Sequence, residues 1–141
     1  MGCIRAPQQV MLADVAGRFP TPDLLHEALL GEAAESAFFA ITVYDDDGRM
    51  VAVNRRAAEL LGHSREELLA YDVGAFTEGG FDRTRLFSQD MREGVRLVQR
   101  KDGSRVPTAF VVAPATLAGL PYFVAVWWQL AEDDPRAATA S

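Results

Sequence analysis

One stretch, Tyr44 to Leu69, reads YDDDGRMVAVNRRAAELLGHSREELL and constrains more than any other what this chain can fold into. The apolar and β-branched run Phe38 to Tyr44 reads as a strand, and the turn Asp45-Asp46-Asp47-Gly48 ends it. A short strand from Arg49 to Val53 follows. Asn54 then stands where a helix N-cap belongs, because a short polar side chain can accept a hydrogen bond from an orphan N–H of the first turn. The helix it starts, Arg55 to Leu61, runs into Gly62, the residue best suited to the left-handed position after a helix end. Ser64 opens a second short helix with Glu67 three residues on, which is a capping box. Each local signal agrees with the next.

The rest of the chain is less uniform. Pro7 is a possible start for a short helix through Ala16, with Val10, Leu12, Val15 and Ala16 apolar. Thr21 is a better start signal: an N-cap followed by Pro22 at the first helical position and Asp23 near the positive helix end. Leu24, Leu25, Ala28 and Leu29 then form one apolar stripe. Residues 71–81 lack periodicity and contain Gly74, Gly79 and Gly80, which reads as a single turn and a mobile loop. Asp82 can cap a helix over Arg83 to Arg92, ended by Gly94. Three strands follow: Val95 to Arg100, Arg105 to Ala115 and Tyr122 to Leu130. They are joined by the turn Lys101-Asp102-Gly103-Ser104 and a loop at Ala118-Gly119. Pro107 lacks an N–H and belongs at a strand edge or bulge. Residues 131–141 are charged, then rich in Ala and Thr, and are expected to form a flexible tail.

Two strands, then helices, then three strands predict an α+β domain: a five-stranded antiparallel sheet with short helices on one face. The 141 residues suffice for one such core, and 49% of them are apolar. A net charge of −6 argues against nucleic acid, where a basic stripe is expected. No apolar run approaches the ~18 residues of a membrane span, and Met1 to Arg5 lacks a signal-peptide core, so a cytoplasmic location is expected. The single cysteine, Cys3, excludes an internal disulfide and a cysteine-rich metal site. Asp45, Asp46 and Asp47 offer oxygen ligands, but a hairpin turn needs polar residues anyway. His26 and His63 read as surface residues. No nucleophile–base pair or phosphate loop is visible, so no catalytic residue, metal or cofactor is assigned.

Asp45, Gly48, Asn54, Ala57, Leu61, Gly62, Ser64, Glu67 and Leu68 together resemble the opening pattern of PAS domains, the small sensor fold of signalling proteins. The resemblance extends through Lys101-Asp102-Gly103-Ser104 and covers residues 36–130, leaving 1–35 as an N-terminal helical cap. It implies a ligand pocket between the sheet and its helices. In flavin-binding PAS domains, the light-oxygen-voltage group, the last strand reads Tyr-Phe-x-Gly-Val-Gln and its Gln reaches the flavin. Here Trp127 takes that place in Tyr122-Phe123-Val124-Ala125-Val126-Trp127. The resemblance therefore puts Phe123, Ala125 and Trp127 inside, with Thr108, Phe110 and Val112 from the preceding strand and Thr42 and Tyr44 from the first. The reactive cysteine of that group is Val73 here, and the arginine that pairs with the flavin phosphate is Gly74, so no covalent flavin adduct is expected. Haem-binding PAS domains carry an axial histidine on the helix before the last three strands, and residues 82–93 contain none.

What remains is an apolar pocket lined by Phe76, Phe81, Leu86, Phe87, Met91, Phe110, Phe123 and Trp127, with Tyr44, Thr108 and Gln89 available to orient a polar end. The leading expectation is a sensor that binds a small apolar or amphipathic molecule, such as a fatty acid, without a covalent bond. A ligand-free dimerisation module whose core is full is the second reading, and flavin or haem held in an atypical way the third. Helices before a PAS core cover the outer sheet face or pair with a second subunit, so a homodimer through the N-terminal helix and that face is expected.

Overall fold

The structure is a computed structural model that describes residues 22–76 and 92–140. Helix α1 (Pro22–Glu35) starts at the proline that the sequence places in its first turn. It belongs largely to a unit separate from the sheet domain, the boundary falling between Ala34 and Glu35. Thr21 and the segment after Pro7 lie outside the described residues, as does the expected helix from Arg83 as far as Met91.

The sheet domain runs β1 (Ala40–Asp45), β2 (Met50–Val53), α2 (Arg55–Leu61), α3 (Arg65–Leu68), a 3-10 turn (Val73–Phe76), β3 (Arg92–Gln99), β4 (Arg105–Leu117) and β5 (Leu120–Gln129). Its five strands are ordered β2-β1-β5-β4-β3, and all pairs are antiparallel. This is the α+β architecture expected from the element order. No helix among the described residues is long and apolar enough to cross a membrane.

Local chemistry explains most boundaries. Asp45 closes the first hairpin by accepting from the backbone N–H groups of Asp47 and Arg49, each at 2.9 Å, while Gly48 takes φ 86°. Arg49 forms an isolated bridge with Asp72 while its carbonyl accepts from Asp45 N–H at 3.0 Å, and β2 begins at Met50, one residue later than expected. Asn54 caps α2, and Gly62 ends it in the left-handed region at φ 75°. The capping box of α3 is complete: Glu67 N–H donates to Ser64 Oγ at 3.1 Å, and Ser64 N–H to Glu67 Oε1 at 2.9 Å. Ala118 and Gly119 both have positive φ, 52° and 78°, as a two-residue hairpin loop of the mirror-image type requires. They join Leu117 to its partner Leu120.

One expectation changes. Arg92 is not the end of a helix, and Gly94 does not stop one; both lie inside β3, which starts three residues before Val95. Residues 131–140 include a 3-10 turn over Pro135–Thr139, capped by Asp134, whose side chain also holds Arg136 at 2.9 Å. The core lies on one face of the sheet, where Ala57, Leu60 and Leu61 of α2, Leu68 of α3 and Phe76 pack with Tyr44, Val53, Phe123, Ala125 and Trp127.

Candidate functional site

Directly paired residues of antiparallel strands share a face, so the register fixes which side chains face the helices. Ala40 pairs with Trp127, Thr42 with Ala125 and Tyr44 with Phe123 between β1 and β5. Trp127 pairs on with Phe110, and Ala125 with Val112, in β4. Thr108, two residues from Phe110, lies on the same face. The face named from the sequence is thus one continuous surface. Tyr44, Thr108, Val112, Phe123, Ala125 and Trp127 are buried on it, and Phe110 is half-buried. Phe76 joins the same cluster from the 3-10 turn. Phe81, Leu86, Phe87, Met91 and Gln89 lie outside the described residues.

The polar groups on this face are partly committed. The Trp127 indole N–H donates to Thr42 Oγ1 at 3.2 Å. The Thr108 hydroxyl donates to the Arg96 carbonyl at 3.0 Å, which ties β4 to β3. Tyr44 stacks on Phe123 with ring centroids 5.5 Å apart. Burial pushes its phenol up to about 12, against the opposing pull of Arg92 and Arg96.

Those two arginines are the part of the face that sequence reasoning missed. Arg92 pairs with Val112 and Arg96 with Thr108, so both stand on the helix-facing side of β3, flanking Gly94. Parity was the available signal, since Arg92, Gly94, Arg96 and the buried Val98 alternate along one strand. Starting the strand at Val95 concealed it.

A family model of the PAS domain matches residues 37–127. The chain belongs to the PAS domain family. Among solved structures it is similar to the PAS domain of an HTR-like protein from Haloarcula marismortui. That match has 26% identity and a TM-score of 0.68, over 75% of this chain and 93% of that one. It is similar also to a domain of a sensory box sensor histidine kinase/response regulator from Geobacter sulfurreducens, at 19% identity and TM-score 0.63, over 72% and 92% of the two chains. A third match is an RNA-binding light-oxygen-voltage receptor, at 20% identity and TM-score 0.67, over 78% of this chain and 35% of that one. No curated protein matches.

Within this PAS domain, Val73 and Gly74 occupy the 3-10 turn Val73–Phe76. The acidic turn brings carboxylate oxygens of Asp45, Asp46 and Asp47 within 4.8 Å of one another. Asp45 already uses one of its oxygens on two backbone N–H groups of the turn, as a polar hairpin-turn residue is expected to. His63 departs from the surface reading. Its side chain is only 11% exposed and meets Tyr71 and Phe76 edge-on, at 5.7 and 5.4 Å between centroids. The glycine stop at Gly62 turns the chain back over the 3-10 turn and carries the imidazole with it.

Proposed function

We propose that this PAS domain is a sensory module that binds a small apolar or amphipathic molecule, such as a fatty acid, against the helix-facing side of its sheet, and that it carries out no reaction on it. The observation that supports this most is the convergence of Tyr44, Thr108, Phe110, Val112, Phe123, Ala125 and Trp127 on one surface. An apolar chain lying there gains ~25 cal/mol per Å² of apolar surface removed from water, so many hydrogen bonds are not needed. Ala125 stands between Phe123 and Trp127, and its small side chain gives the ligand room beside the indole. Binding is read out through the N-terminal helix or a second subunit.

The second reading, a ligand-free dimerisation module, draws on the close packing of the same side chains, with Phe123 stacked on Tyr44 and Trp127 buried. Native mass spectrometry compared with the denatured mass separates the two. A retained small molecule supports the sensor, and an empty domain that stays silent in tryptophan fluorescence with fatty acids of every length overturns it. Ala125→Phe fills the space beside Trp127. It is expected to abolish binding and to leave the fold intact at an overpacking cost of about 1–3 kcal/mol. A yellow or red preparation would point instead to flavin or haem.

A further inference from the structure

Arg92 and Arg96 reach from β3 to the same ring. Their guanidinium carbons lie 5.9 and 5.8 Å from the Phe110 centroid. Gly94, between them, is the residue paired with Phe110, and a Cβ added there would come within 3.2 Å of the ring's Cζ. The glycine therefore lets the phenyl ring lie against the β3 backbone with a cation on each side. A ring face attracts a guanidinium but does not neutralise it. The Arg96 guanidinium makes no ion pair among the described residues, and a half-buried cation on an apolar face is costly without an anion. Arg92 has a further interaction, so the weight falls on Arg96. The chain as a whole carries −6, and its general field repels anions. Selectivity for an anion on this face must therefore come from local charge.

We propose that Arg96, with Arg92 beside it, binds the carboxylate of an amphipathic ligand whose apolar part lies over Phe110 and the neighbouring helix-facing side chains. The planar guanidinium fork matches a carboxylate geometrically, whereas the Thr108 hydroxyl already donates to the Arg96 carbonyl. This rests on the ligand-binding reading above and specifies the ligand's class: an apolar molecule that ends in a carboxylate.

The test uses the full chain and two probes of equal chain length, dodecanoate and dodecanol, followed by tryptophan fluorescence at low ionic strength. Dodecanoate is expected to bind roughly 10-fold or more tightly than dodecanol. Arg96→Gln is expected to bring the two affinities together by weakening dodecanoate alone. Arg96→Lys, which keeps the charge without the fork, should keep part of the preference. Equal affinities in the wild-type chain overturn the proposal and leave the arginines as charges that protect an edge strand, while ligand binding itself stands. A preference that survives in folded Arg96→Gln and in the Arg92→Gln, Arg96→Gln double variant overturns it too. Binding of neither probe removes the ligand reading and this proposal with it. The wild-type comparison is decisive even where a variant fails to fold.

Discussion

Asn54 does more than its cap position demands. Its Oδ1 accepts from Ala57 N–H at 3.0 Å, as an N-cap should, and also from Ile41 N–H at 2.9 Å. Its Nδ2 donates to the Phe39 carbonyl at 2.9 Å, and its own N–H donates to the Ile41 carbonyl. One amide thus replaces a rung of the ladder at the start of β1 while it starts α2. Asn54→Ala is expected to cost roughly 2–4 kcal/mol, the loss of a cap plus partly buried backbone groups left without partners. Asn54→Asp keeps both acceptor bonds but sets a carboxylate oxygen against the Phe39 carbonyl, and should fall between alanine and wild type. Urea titration of the three proteins checks this; an aspartate variant as stable as wild type would mean that the bond to Phe39 contributes nothing. The cap was legible in the sequence because it is a contact three residues long. The clamp to β1 was not, because it joins residues that only the folded sheet brings together.

Among the elements, those set by local chemistry were read closely, and β3 was not. The hairpin turns, the cap of α2, the glycine stop and the capping box depend on residues a few positions apart, and each stands where the sequence put it. β3 begins with Arg92-Glu93-Gly94, a run whose strand character comes only from pairing with β4 and from the Phe110 ring that fills the space over the glycine. Two element-scale predictions follow from the contacts. Glu67 links the start of α3 to the turn between β3 and β4, since it accepts from Ser64 N–H and from Lys101 Nζ at 2.9 Å. Those bonds hold its carboxyl down at about 2, below the ordinary 4.5. A lowered carboxyl stabilises the fold above about pH 4.5, and the stabilisation is lost as the pH falls towards 2. Glu67→Gln keeps the capping acceptor and loses the charge. Its stability deficit relative to wild type should therefore be fully present above pH 4.5 and shrink towards pH 2, which urea unfolding across that range measures. The second concerns Ala118, which holds φ 52°, a conformation that costs a residue with a Cβ about 1–2 kcal/mol. Ala118→Asn creates the Asn-Gly pair such loops favour and should raise the melting temperature by roughly 2–4 °C in calorimetry.

At the scale of the whole molecule, the sheet has a second apolar face. Ile41, Val43, Val124, Val126 and Trp128 alternate with the helix-facing side chains and point the other way, and Phe39 meets Trp128 edge-on at 5.6 Å. A contiguous apolar surface of this kind is rarely left wet by a monomer. From Tyr122 to Trp128 both faces of β5 are apolar, but periodicity alone does not say what covers each, since a helix of the same chain and a second subunit present the same kind of surface. The stripe of Leu24, Leu25 and Leu29 on α1 is the cover we propose, within one chain or across a dimer. Cutting between Ala34 and Glu35 tests it while retaining Glu35, whose carboxylate pairs with Arg65. Without residues 1–34 the face would be left uncovered, and the truncated protein is expected to aggregate or to change its oligomeric mass in light scattering. Restoring solubility by placing a polar side chain at the centre of the patch, Val126→Thr, would tie that aggregation to this face. A truncated protein that stays soluble, with one sheet domain for every sheet domain of the full-length particle, would mean that α1 covers nothing there and that the face is occupied by something else.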